Sequence, residues 1–235
     1  MAKKQSSLYM TPGEQIAGVV FFVIYLLVLP LATSPIFRLA ERLLAVDIPR
    51  SVENIIYYYV LFAVSIIIFH GFLGRTTRNL FDRFPLVGKT VLAGMVAHYG
   101  LNELVYRLVN LVISARTNLN DTTISAQIDD APRSTLLIVI FLAPFVEEVL
   151  FRGLVFGNLK NKSRLLGYGV SCLLFALLHV WQFAVNNQDV TYFLVMVQYL
   201  VPGVVLAWAY EHSGTLWAAI GVHAAVNALS VLAGI

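Results

Sequence analysis

Two acids and a base stand inside an otherwise apolar run, Ala143-Pro144-Phe145-Val146-Glu147-Glu148-Val149-Leu150-Phe151-Arg152. A charged side chain at the centre of a bilayer costs roughly 2.5–3.5 kcal/mol even on a lenient scale, so charges kept there are expected to pair or to work. Glu148 and Arg152 are four apart, stack on one helix face and can pair. Glu147 lies about 100° round the helix, lacks that partner and is left free for chemistry. Pro144 removes an intrahelical hydrogen bond one turn earlier, which can open the backbone locally and admit water. The plainer alternative is a buried ion network that only fixes helix packing. Two further apolar runs hold Phe175-x-x-x-His179 and His223-x-x-x-Asn227. At that spacing both residues of each pair project to one side of a helix. The small residues around the second pair (Ala218, Ala219, Gly221, Ala224, Ala225, Ala228) also suit close helix approach.

A carboxylate and an imidazole brought to one place can hold and deprotonate a water, and burial makes the carboxylate the better base. A second imidazole with a neutral amide can donate hydrogen bonds to a developing oxyanion. Together these are the parts for hydrolysing an amide within the membrane. Two histidines and a glutamate (Glu147, His179, His223) are equally the three protein ligands of a catalytic zinc, and the residue types leave both readings open. No serine nucleophile motif, aspartyl dyad or HExxH helix occurs.

The elements that must position these groups are membrane helices. Hydrophobic residues make up 59% of the 235 residues and charged residues 12%, against roughly 45–50% and about 25% in soluble domains. Mean hydropathy is +0.78. The fold class is therefore all-α, a polytopic transmembrane bundle of about seven spans, with six to eight fitting this length. The expected segments are about 15–36 (bent or ended by Pro30 and Pro35), 53–73, 85–114, 135–159, 165–185, 191–210 (interrupted by Pro202-Gly203) and 215–235. A polar loop is expected over 118–134. It would separate an N-terminal part, 1–134, from a catalytic core, 135–235, within one integrated membrane domain. At 1.5 Å per residue, Glu147 lies roughly 18 Å, His179 roughly 21 Å, His223 roughly 14 Å and Asn227 roughly 20 Å from the same face. Scattered packing residues have no reason to share a depth, and a convergent site does.

Loop charges set the orientation. With the N-terminus inside, Lys3, Lys4, Arg75, Arg78, Arg83, Lys89, Lys160, Lys162 and Arg164 face the cytoplasm, and Arg38, Arg42, Arg50, Arg116 and Arg133 face out. The expected location is the plasma membrane, multi-pass, N-terminus cytoplasmic, with the first span a signal-anchor. The single cysteine, Cys172, excludes an internal disulfide and any CxxC metal site. A net charge of +3 without a basic, aromatic-laced run points to anionic lipid and gives nucleic acid no surface.

These three groups of positions resemble the CAAX-protease and bacteriocin-processing (CPBP, or Abi) family of intramembrane proteases, whose motifs EExxxR, FxxxH and HxxxN fall in this order on successive core helices. Here they stand as Glu147-Glu148-x-x-x-Arg152, Phe175-x-x-x-His179 and His223-x-x-x-Asn227. Trp208 to Trp217, with Glu211 and Ser213-Gly214, also looks like the family, and the resemblance covers about residues 135–228. It implies that Glu147 and His179 activate the water and that His223 and Asn227 stabilise the oxyanion. Glu148, Arg152 and Phe175 would organise the site. It implies a peptide or lipid-modified protein as substrate, in CAAX-type processing, bacteriocin maturation or self-immunity. The family has been described both as metalloproteases and as metal-free, glutamate-dependent proteases. Asn227, a poor zinc ligand and a good oxyanion donor, favours no cofactor over zinc.

Two other functions fit weaker features: a non-catalytic immunity or scaffold protein, and a transporter using the intramembrane acids and histidines as a path. A transporter would more naturally show paired repeats, and Pro202-Gly203 has no counterpart. In the third segment, Glu103 and Arg107 with Asn102, Asn110 and His98 form a polar stripe. A surface ion pair worth little is the preferred reading, and a border to substrate access the alternative. His70 and His212 are expected at span ends.

Overall fold

The structure, a computed structural model, describes residues 9–110 and 119–233. Lys3, Lys4 and Arg116, which entered the orientation count, and the far ends of the third and seventh expected segments lie outside them. Eight helices and no strand occur among the described residues. They are α1 (Pro12–Leu44), α2 (Arg50–Asp82), α3 (Phe84–Asn110), α4 (Leu119–Asp130), α5 (Pro132–Leu159), α6 (Arg164–Asn186), α7 (Val190–Ser213) and α8 (Leu216–Ala233). All but α3 and α4 are long and apolar enough to cross a membrane. At 27 residues α3 has the length, but Lys89, His98, Glu103 and Arg107 dilute its apolar character.

Helix α5 is the hub. Its apolar window is 67% buried, against 22–39% for the other five spanning helices, whose outer faces are left for lipid. Val146, Val149, Leu150, Phe151 and Phe156 of α5 are sealed among Phe69 and Phe72 of α2, Phe175 of α6, Tyr210 of α7 and Leu216 of α8. Gly203 on α7 lets α6 come close, since a Cβ there would stand 3.1 Å from that of Cys172.

Several boundaries differ from expectation, each for a local reason. Pro30 and Pro35 do not end α1. A π turn over Ile24–Val28, in which Leu29 N–H donates to Ile24 O, widens the helix just before Pro30, and the helix runs on to Leu44. Helix α2 continues to Asp82 through an irregular turn at Phe69 (φ −105°, ψ 17°), which leaves His70 exposed in mid-helix and not at a span end. Pro202-Gly203 does not interrupt α7; its irregular part is a 3-10 turn at Val190–Val195. The expected loop, 118–134, is mostly helix α4. The segment has no glycine, and its one proline, Pro132, occupies the first turn of α5, where a missing N–H costs nothing. Thr135 Oγ1 closes the α4–α5 junction by donating to Gln127 O at 2.9 Å.

Two polar clamps hold the elements in register. Thr11 and Glu14 form a capping box at the start of α1. Glu14 is buried, and its carboxylate accepts from Phe72 N–H at 2.6 Å, just past the break at Phe69, and from Arg75 at 3.0 Å. At the other clamp α2 caps α8. Leu216 N–H donates to Thr76 Oγ1 at 2.6 Å, Thr215 Oγ1 to Thr76 O at 2.7 Å, and Asn79 Nδ2 to Gly214 O at 2.8 Å. Gly214 turns the chain from α7 to α8 at φ +72°, a left-handed conformation that favours glycine.

Candidate active site

Glu147 and Glu148 occupy the short α-helical stretch of α5, Ala143–Glu148, between two π-helical stretches, Ile138–Leu142 and Val149–Phe156. Adjacent positions on such a helix face different neighbours, and the two carboxylates part accordingly. Glu148, fully buried, meets Arg152 twice (Nη1 to Oε1 and Nε to Oε2, both 3.2 Å) and accepts from His223 Nδ1 at 2.8 Å. Arg152, also fully buried, donates from Nη2 to Gly203 O at 3.2 Å and lies 4.2 Å over the Phe175 ring. The expected i,i+4 pair is thus formed, and it reaches α6, α7 and α8 together.

Glu147 points elsewhere. Its Oε2 stands 4.0 Å from His179 Nε2 on α6 and 3.9 Å from His223 Nε2 on α8, and among the described residues it accepts no hydrogen bond. These separations are too long for a direct hydrogen bond and short enough for one water to bridge. The imidazoles are oriented from behind. His179 Nδ1 lies 2.8 Å from Phe175 O, and a carbonyl only accepts, so Nδ1 carries the proton and neutral His179 presents a lone pair at Nε2. By the same logic His223 donates from Nδ1 to Glu148 and presents Nε2 to Glu147. Phe175 packs against both rings, with centroids 4.6 Å from His179 and 5.9 Å from His223.

Asn227, one turn beyond His223, donates from Nδ2 to Val139 O at 2.8 Å. The local backbone explains this bond. In the π stretch Ala143 N–H donates five residues back to Ile138 O, so the next donor, at position 144, would serve Val139 O. Position 144 is proline and has no N–H, and the Asn227 amide takes the freed carbonyl.

A cavity of about 910 Å³ opens onto Glu147, His179, His223 and Asn227. Its walls include residues the motifs did not flag. Tyr199 of α7 stacks on His179 with centroids 4.4 Å apart. Tyr25 of α1 and Tyr57 and Tyr58 of α2 line the cavity, the last two edge-to-face at 5.1 Å. The Tyr57-Tyr58-Tyr59 run in an otherwise aliphatic segment was the visible signal; Tyr25 had none. His98, Asn102 and Glu103 of α3 also line it, so the polar stripe of the third segment borders the cavity while the Glu103–Arg107 pair, 2.6 Å apart, stays exposed. His212 stacks on Trp208 near the end of α7, away from the cavity.

Residues 130–229 match the family model for type II CAAX prenyl endopeptidase Rce1-like proteins. Over that stretch the chain is similar to that family. The Rce1-like segment contains every motif residue named above, from Glu147 to Asn227, and the similarity stated from the motifs stands. It leaves out α1 to α3, which supply Tyr25, Tyr57, Tyr58 and the polar stripe. The chain is also similar to the UPF0177 protein YxdF of Lactococcus lactis subsp. lactis (strain IL1403), 26% identical over 159 residues, 67% of this chain and 81% of that protein. No solved structure matches.

Proposed function

We propose that the chain is an intramembrane endopeptidase that hydrolyses a peptide bond with a water activated by Glu147 and His179. The observation that carries this reading is the carboxylate oxygen within 4.0 Å of two imidazole nitrogens, on three different helices, lining one cavity. Water held between Glu147 and His179 attacks the carbonyl carbon as its proton passes to the Glu147 carboxylate. The carbonyl π electrons move to oxygen, which becomes the oxyanion. Collapse breaks the C–N bond, and the proton held by Glu147 goes to the leaving amine. Asn227 retains one amide N–H for the oxyanion, and His223 donates from Nε2 when its ring carries a second proton. Glu148 accepts from His223 Nδ1 at 2.8 Å and holds that ring in place.

What supports a metal-free water is spacing. Neighbouring ligands of a tetrahedral zinc stand about 3.3 Å apart, from zinc–nitrogen distances of about 2.0–2.1 Å. Glu147 is 3.9 and 4.0 Å from the two histidines, so the three do not fit that ion as they stand. The substrate is a peptide or lipid-modified protein segment, in CAAX-type processing, peptide maturation or self-immunity, and the cavity of about 910 Å³ offers volume for it. The host is the plasma membrane, with the N-terminus cytoplasmic.

The test is purified protein in detergent with a quenched peptide library. Cleavage by the wild type and none by Glu147→Gln is the expected result. Equal signal from both removes the enzyme reading and leaves a membrane scaffold.

A further inference from the structure

The site around Glu147 is short of hydrogen-bond donors. The atoms presented to the centre of the site are Glu147 Oε2 and the Nε2 atoms of His179 and His223, all acceptors when both rings are neutral. Asn227 has already given one of its two amide N–H groups to Val139 O. An oxyanion needs donors, and the Rce1-like segment offers few.

Tyr25 lies on α1, outside that segment. It is only 4% exposed and lines the cavity with Glu147. Among the described residues its hydroxyl has no hydrogen-bond partner. It lies within electrostatic reach of the Glu147 carboxylate. A buried tyrosine usually finds a partner for its O–H, and one that does not is available to a ligand. Its placement is built into the backbone, since Tyr25 sits in the π turn Ile24–Val28 that precedes Pro30. Such turns re-aim a side chain and recur at functional sites.

We propose that Tyr25 is a further catalytic residue, donating a hydrogen bond from its phenol to the oxyanion of the tetrahedral intermediate. It keeps its proton throughout. The inference rests on the endopeptidase reading and adds that the reaction centre is completed from the N-terminal half, by a helix that carries none of the motifs.

The experiment uses the full chain in detergent with a quenched peptide that the wild type cleaves and Glu147→Gln does not. Tyr25→Phe deletes one oxygen and keeps the ring. It is expected to lower kcat about a hundredfold, as for loss of one oxyanion donor, with KM changed less than about twofold. The melting temperature should stay level or rise, because no protein hydrogen bond is lost. Tyr59→Phe, on the exposed face of α2, is the control expected to match the wild type. A wild-type kcat in Tyr25→Phe overturns the proposal while the endopeptidase reading survives. If Tyr25→Phe lowers the melting temperature, 3-fluorotyrosine at position 25 replaces it, with packing kept and the donor made more acidic. A kcat indifferent to fluorination then overturns the proposal. A wild type that cleaves nothing overturns the endopeptidase reading, and this inference with it.

Discussion

In α1 a π turn over Ile24–Val28 precedes Pro30, and in α5 a π turn over Ile138–Leu142 precedes Pro144 at the same spacing. Both helices pass through their proline without ending. The surroundings differ: the apolar window of α5 is 67% buried and that of α1 28%. In α5 the carbonyl freed by the proline, Val139 O, is captured by Asn227 from α8. In α1 the turn instead delivers Tyr25, phenol unpaired, to the cavity wall. One backbone device thus ties two helices together at the hub and aims a side chain at the periphery.

The hub is where substitution should cost most. Arg152→Leu leaves Glu148 buried without its cation, and a loss of about 3–5 kcal/mol is expected in chemical or thermal unfolding in detergent. A loss under about 1 kcal/mol would mean that the ion network is not what holds α5 to α6, α7 and α8. Asn227→Leu strands Val139 O and should cost about 1–3 kcal/mol. The comparison sharpens when Pro144→Ala is added, because the new N–H can serve that carbonyl. In the Pro144→Ala background Asn227→Leu should then cost less than about 1 kcal/mol, a coupling that a double-mutant cycle reads directly. Equal costs in both backgrounds would break the account of the α5 turn. In α1, Pro30→Ala should shift stability by less than about 1 kcal/mol, since among the described residues no side chain is engaged there for the new N–H to displace. Smallest of all is Glu103→Ala at the cavity rim. Its exposed pair with Arg107 is worth about 0.2–1 kcal/mol, and a change in cleavage preference without a change in melting temperature would assign the rim to substrate access.

The hub was legible in the sequence because its burial is expensive. Glu147, Glu148 and Arg152 stand out in an apolar run, and i,i+4 geometry alone pairs Glu148 with Arg152. The matched depths of Glu147, His179 and His223 rested on helix rise, and the three converge. Tyr25 was not legible, since a tyrosine in an apolar run has the same appearance whether it packs or donates. Glu14 stood at the start of a span, where a solvated carboxylate needs no explanation, and only the fold shows it holding Phe72 and Arg75. The prolines misled for a physical reason. A π turn precedes Pro30, while Pro35 and Pro202 sit inside continuous α-helix, so none of the three marks an end or a break. Polarity misled over 118–134, where the absence of glycine and the position of Pro132 were the better guides to a helix.

The central claim is that Glu147 and His179 act on one water. A kinetic cycle of wild type, Glu147→Gln, His179→Ala and the double variant, on one quenched peptide, tests it most directly. Groups that act as a unit are lost together, so the double variant should be no slower than the slower single variant, within about threefold. Losses that multiply would show two independent contributions and contradict a shared water between the carboxylate and the imidazole.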